Sequence, residues 1–185
     1  MEIAVDKGQQ ANKHIVKHNW LKLNGHELIE LPLPVGDYMG VVRVSVDTKK
    51  DLQEVVGNIQ GKSHARFRDE CILGQQNGIK LYILVEHGGN IKNLESVKDW
   101  KNPRQYLYEK KIRKEFEMPK GADFQSEVAE LKAHGAKVVR GPTTGEELYK
   151  AMVTMQEKYG VEWVFCEKKE TGAKIVELLR NGLNG

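Results

Sequence analysis

The chain predicts one α/β domain over residues 1–185, a three-layer sandwich in which a mixed central sheet is flanked by helices. Segments of strand character alternate with segments of helical period along most of the sequence. The run Ile79-Lys80-Leu81-Tyr82-Ile83-Leu84-Val85-Glu86 is apolar nearly throughout, as expected of a central strand covered on both faces. Leu28 to Leu33 instead alternates, and Pro32 and Pro34 put it at an edge or a strand end.

Taken in order, Glu2 to Val5 reads as a short strand ending at Asp6. From Asn12, residues Ile15, Val16, Trp20 and Leu23 fall at helical spacing, and Asn24-Gly25 closes the helix. After Leu28–Leu33, Tyr38 to Val46 reads as one Val-rich strand running straight into Asp47-Thr48-Lys49. Asp51 to Ile59 is helical, with Leu52, Val55, Val56 and Ile59 on one face. His64 to Gln76 is a further helix, stopped by Asn77-Gly78. Residues 88–144 break the rhythm: Gly88-Gly89, Asn102-Pro103, Pro119 and Gly141-Pro142 surround polar helical pieces, which predicts an insertion or lid. Order returns with a helix from Gly145 to Tyr159, a strand from Val161 to Cys166 and a helix from Thr171 to Leu179, closed by Asn181-Gly182.

No apolar run approaches the roughly 20 residues of a membrane span, and the opening Met1-Glu2-Ile3-Ala4-Val5-Asp6 lacks the regions of a signal peptide. A cytoplasmic protein without membrane partners is expected. Cys71 and Cys166 lie far apart in the sequence and read as buried free thiols. The formal net charge is +3, unevenly spread. Lys98, Lys101, Arg104, Lys110, Lys111, Arg113 and Lys114 face only Asp99 and Glu109 within Lys98–Lys114, so that segment carries +5 and the rest −2. Trp100, Tyr106, Tyr108 and Phe116 interleave with these cations, a combination suited to neutralising phosphates and stacking on unpaired bases, or to a solvated helix whose aromatics pack inward.

Val35-Gly36-Asp37-Tyr38 and Val46-Asp47-Thr48-Lys49 carry the chemistry. Residues i and i+2 of a strand face the same side, so Asp47 and Lys49 project together, with Asp37 arriving from the preceding turn. Two carboxylates hold a hard cation such as Mg²⁺, with Mn²⁺ as a substitute, and a lysine beside them meets charge developing on a phosphate. The expected metal ligands are therefore Asp37 and Asp47, with Lys49 orienting the attacking water or stabilising that charge. Taken alone, D-x-K on a strand is more often a surface pair, and Gly-Asp more often a turn.

Order along the chain adds to these motifs. Val5-Asp6, Leu33-Pro34-Val35-Gly36-Asp37-Tyr38, Val46-Asp47-Thr48-Lys49-Lys50-Asp51-Leu52, Arg66-Phe67-Arg68-Asp69-Glu70 and Leu84-Val85-Glu86 follow one another. The set resembles the nuclease domain of the XPF family, a branch of the PD-(D/E)xK superfamily, and is most similar to small stand-alone bacterial and phage members. The resemblance covers residues 1 to about 87 closely and 145–180 more loosely. It implies a restriction-endonuclease-like sandwich and a metal-dependent endonuclease leaving 5′-phosphate on branched or flapped DNA. It also implies dimerisation through the nuclease domain. Residue by residue, it makes Asp6, Asp37 and Asp47 metal-site acids and Lys49 the catalytic lysine. It turns Arg66 and Glu70, an i,i+4 pair able to form an ion pair, toward the site; a surface salt bridge is the equal alternative.

The chain departs from the pattern where the family's Arg-Glu after V-D-x is Gly8-Gln9. Gln9 can hydrogen-bond a ligand or water but cannot neutralise a cation. Relatives add helix-hairpin-helix modules that grip DNA, for which these 185 residues leave no room, so Lys101, Arg104, Lys110, Lys111, Arg113 and Lys114 are the expected DNA contacts. A catalytically silent DNA-binding member and a restriction-like or junction-resolving nuclease are the alternatives. His14 and His18, at i and i+4, lack the glutamate of a zinc-protease motif and read as structural. His64 and His87 lie near the expected site only by position.

Overall fold

A computed structural model describes residues 1–9 and 11–181, side chains excepted at 11 and 12. Strands β1 (Glu2–Asp6), β2 (Glu27–Leu31), β3 (Tyr38–Met39), β4 (Val44–Lys49), β5 (Lys80–Glu86) and β6 (Glu162–Cys166) form a mixed sheet in the order β2-β1-β3-β4-β5-β6. β1–β2, β4–β5 and β5–β6 pair in parallel, whereas β3 is antiparallel to both β1 and β4. Helices α2 (Leu52–Ile59), α3 (His64–Gln76) and α6 (Gly145–Tyr159) cover one face, and α1 (Ala11–Leu23) and α7 (Thr171–Asn181) the other. The expected three-layer α/β sandwich is the one observed.

The central strand shows why two layers of helices are needed. Leu81, Ile83 and Val85 enter the core beneath α2, α3 and α6, while Leu84 enters the core beneath α1 and α7. Asp51 caps α2 by accepting from the Glu54 N–H, and Thr144 and Glu147 form a capping box at the start of α6. On the far face α1 and α7 approach so closely that a Cβ on Gly172 would lie 2.5 Å from the Trp20 ring. Among the described residues, no helix is long and apolar enough to cross a membrane. Both cysteines are buried and free. Gly182, half of the expected closing pair, lies outside the described residues.

Two expectations are corrected. Tyr38 to Val46 is not one strand: the chain turns at residues 40–43, so β3 and β4 form an antiparallel hairpin, with Tyr38 opposite Val46. A run of valines carries strand propensity through a turn, and pairing geometry decides where it breaks. Helix α1 forms, but rotated from its apolar reading. Ile15, Val16 and Leu23 are exposed, while His14 and Leu21 are buried and Lys17 and His18 half-buried. Polar contacts to the sheet, described below, set that rotation. β2 ends at Leu31 and is the sheet edge, as the prolines require.

Between β5 and α6 the chain leaves the sheet. A 3-10 turn at Glu95–Asp99 lays Val97 and Trp100 into the α2/α3/α6 core. Helices α4 (Arg104–Glu115) and α5 (Phe124–Ala133) then build a small core of their own from Ile112, Phe124 and Val128, backed by Tyr108, Phe116, Met118 and Val138. Asn102 ties this segment down: it donates to the Thr143 carbonyl (2.8 Å) and accepts from the Gln53 side chain of α2 (3.0 Å).

Candidate active site

β4 sends alternate side chains to opposite faces of the sheet. Val44 and Val46 point into the α1/α7 core, which leaves Asp47 and Lys49 on the α2/α3 side. Lys49 Nζ lies 2.5 Å from Asp47 Oδ2 and 5.0 Å from the centre of the Phe67 ring on α3. Both side chains are buried. Asp47 Oδ2 is buried and makes no well-directed hydrogen bond, so the ammonium beside it holds it by charge.

Asp37 is fixed through its backbone. Its N–H donates to the Val46 carbonyl (2.8 Å), and its carbonyl accepts from the Asp6 N–H (3.0 Å) and Gln9 Nε2 (2.6 Å). Its carboxylate Oδ2 accepts from both the Thr48 N–H (2.9 Å) and the Thr48 hydroxyl (2.5 Å). Gly36 makes the turn possible: its φ is +73°, and a Cβ there would overlap the Ser45 hydroxyl and crowd the Val46 carbonyl at 3.2 Å.

One open cleft takes in Asp6, Gln9, Asp37, Asp47, Arg66 and Glu70, with Lys49 behind Asp47. Asp6 stands in it with both oxygens committed, Oδ2 to the Gly8 N–H (3.0 Å) and Oδ1 to the Leu33 N–H (3.1 Å). Gln9 reaches the Asp37 backbone rather than its carboxylate. The expected Arg66–Glu70 ion pair does not form. Glu70 turns inward and accepts from the Gly36 N–H (2.8 Å), leaving Arg66 exposed on the cleft wall. His64 and His87 do not line the cleft.

Sequence reasoning missed three residues here. Lys17 of α1 lies 2.5 Å from Glu86 Oε1 and donates to the Thr48 hydroxyl at 3.1 Å. Glu86 closes the Leu84-Val85-Glu86 motif and Thr48 sits inside the D-x-K triplet, so both had a signal. Lys17 had none beyond sharing a face with His14 three residues before it. His14 Nδ1 lies 3.0 Å from the Tyr38 hydroxyl, the second contact that sets the rotation of α1.

The electrostatics follow from burial. Burial pushes the Asp47 carboxyl up to about 6; Lys49 pulls it down and Asp37 pushes it further up. Asp37 is raised by burial against its two Thr48 hydrogen bonds, and Glu70 by burial and by the Asp47 charge. Burial works to lower Lys49, but the Asp47 carboxylate outweighs it and the net shift is upward. The cleft and its walls thus hold six buried or half-buried carboxyls (Asp6, Asp37, Asp47, Glu54, Glu70, Glu86) against two such ammoniums, Lys17 and Lys49, while Lys13, Lys50, Arg66 and Lys168 line it as exposed cations. That excess of buried carboxyls over buried ammoniums fits a hard divalent ion held by Asp37 and Asp47 with water completing its shell. Among the described residues, no three His, Cys, Asp or Glu side chains converge at ligand spacing.

His14 yields a pH prediction. Burial, with Lys17 and His18 adding to it, lowers its pKa to about 4 from an ordinary 6.5. The unfolded chain therefore takes up this proton first as pH falls from 6.5 to 4, and the native state loses stability across that window. The loss amounts to about 3 kcal/mol. In His14→Gln the fall in Tm between pH 6.5 and 4 should be visibly shallower than in wild type; parallel curves would assign the acid sensitivity elsewhere.

The basic segment divides. Lys101, Arg104, Lys110, Lys111 and Lys114 are exposed, but Arg113 donates to the Ala122 carbonyl (3.0 Å) and stacks on Phe124. Of the four interleaved aromatics, Trp100 is in the main core and Tyr108 and Phe116 back the small one. Tyr106, 70% exposed on the face of α4 that carries Lys110, is the one free to stack.

This sheet order and its flanking helices form a restriction-endonuclease-like α/β sandwich, and superposition on solved structures gives it an XPF-type nuclease fold. XPF from Aeropyrum pernix superimposes on the chain with a TM-score of 0.55 and 18% identity, over 99% of this chain and 65% of that one. The same Aeropyrum pernix protein in complex with DNA gives 0.54 and 15% over the same shares. The chain thus spans about two thirds of the length of these structures, at 65%. No protein-family model and no curated protein matches it.

Proposed function

We propose that the protein is a cytoplasmic, divalent-metal-dependent DNA endonuclease that hydrolyses phosphodiester bonds in branched or flapped DNA and leaves 5′-phosphate. The observation that carries this reading is the pairing of buried Asp47 and Lys49 beside Asp37 in a carboxyl-lined cleft of an XPF-type nuclease fold. Bound Mg²⁺, or Mn²⁺ in its place, would supply a nucleophilic water and neutralise charge at phosphorus. Asp37 and Asp47 hold the ion; Lys49, kept charged by Asp47, stabilises charge in the transition state. Asp6 and Gln9 brace the Asp37 backbone, and Glu70 fixes Gly36. Arg66, exposed on the wall, is placed to meet a phosphate.

DNA is gripped by the exposed cations of α4, which the 88–144 insertion presents, and two copies pair through the nuclease domain. Lys110→Ala/Lys111→Ala/Lys114→Ala should flatten the salt dependence of DNA binding by about 2–3 units of log–log slope, near one for each phosphate left without its cation. An unchanged slope would remove α4 from the interface. The decisive experiment incubates the protein with Mg²⁺ or Mn²⁺ and labelled duplex, flap, splayed-arm and four-way DNA. Cutting of branched forms is expected. Binding without cleavage of any substrate would sink the enzyme reading in favour of a silent DNA-binding member, and duplex-only cutting would favour a restriction-like nuclease.

A further inference from the structure

Lys17 is the buried ammonium for which the proposed chemistry has no use. It reaches the sheet from the middle of α1, opposite the face that carries Asp47. Its side chain is 11% exposed and that of Glu86 3%. Its Nζ lies 2.5 Å from Glu86 Oε1 and 3.1 Å from the Thr48 hydroxyl, which in turn donates to Asp37 Oδ2 at 2.5 Å. The ammonium therefore sits among carboxylate and hydroxyl oxygens, two hydrogen bonds away from an expected metal ligand. Hard oxygens gathered round a point charge are also what a divalent ion selects. Glu86 Oε1 makes no well-directed hydrogen bond, so charge rather than direction holds it. A carboxylate this buried needs a cation beside it. The neighbouring basic group on α1 cannot serve, because burial keeps His14 neutral and its ring is engaged with Tyr38.

Resting on the metal-dependent reading of the site, we propose that Lys17 is a built-in cation. Its ammonium fills the position beside Glu86 and Thr48 that a second divalent ion would otherwise take. The protein consequently binds one divalent ion, at Asp37 and Asp47, and Lys17 positions Asp37 through Thr48.

Mn²⁺ titration of the full chain, read by the paramagnetic resonance of free Mn²⁺, tests this without any nuclease assay. Wild type and Lys17→Arg should bind one ion, Lys17→Met two, and Lys17→Met/Glu86→Gln one again. A single ion in Lys17→Met, or two in wild type, would overturn the built-in cation and leave the nuclease reading standing. No ion in wild type would overturn both the metal site and this proposal. If Lys17→Met is unfolded without metal, circular dichroism should show it refolding as Mn²⁺ is added, and failure to refold where Lys17→Met/Glu86→Gln folds would overturn the proposal.

Discussion

Asp47→Asn is expected to lower the single-turnover rate of DNA cleavage in Mg²⁺ by at least about 10²–10³-fold, or about 3–4 kcal/mol of barrier. Asparagine keeps the shape of the side chain but removes the charge that a hard cation requires. It also removes the partner that keeps the Lys49 ammonium charged in its buried position over Phe67. One substitution therefore strikes the proposed metal ligand and the lysine together. Circular dichroism and gel filtration would establish that the variant is folded. Cleavage at an undiminished rate by a folded Asp47→Asn protein would place the active site elsewhere.

Gly36→Ala is expected to lower Tm by about 5–15 °C, equivalent to about 2–4 kcal/mol, and to lower cleavage with it. Two penalties meet at this residue. Its φ of +73° disfavours any side chain, and a Cβ there would overlap the Ser45 hydroxyl. Ser45 cannot easily move aside, because its hydroxyl donates to the Val35 carbonyl (2.7 Å), with the Tyr38 carbonyl also within reach of the same proton (3.1 Å). Displacing this turn shifts Asp37 from Thr48 and Glu70 from the Gly36 N–H. Gly25 is the internal control: its φ is +76°, but a Cβ there meets nothing within 4 Å. Gly25→Ala should show the backbone penalty alone, about 1 kcal/mol. Equal effects at the two glycines would refute the packing argument at Gly36.

Local pattern made most of the fold legible. The apolar run at residues 79–86 placed the central strand, and Asn24-Gly25, Asn77-Gly78 and the prolines after Leu31 marked element ends within a residue or two. The hairpin between Met39 and Val44 was illegible because valine favours a strand on either side of a turn equally. The face of α1 was misread for a different reason. Amphipathic reasoning ranks side chains by hydrophobicity, whereas this helix is oriented by Lys17 on Glu86 and by His14 on Tyr38. Arg66 and Glu70 stood at an ideal helical spacing for an ion pair, yet the bare Gly36 N–H, 34 residues earlier in sequence, attracted the carboxylate instead.

Periodicity and composition were enough for the sandwich, the side-by-side projection of Asp47 and Lys49, and the concentration of positive charge between Lys98 and Lys114. Both act over a few residues, so no distant partner is needed to read them. Folding in three dimensions settled which acids share the cleft, that both Asp6 oxygens are taken by backbone N–H groups, and that a second lysine stands against Glu86. It also packed away three of the four aromatics in the basic segment. Those outcomes depend on burial and on partners far off in the chain. A buried charge must find its counterpart in space, and sequence spacing carries no record of where that counterpart lies.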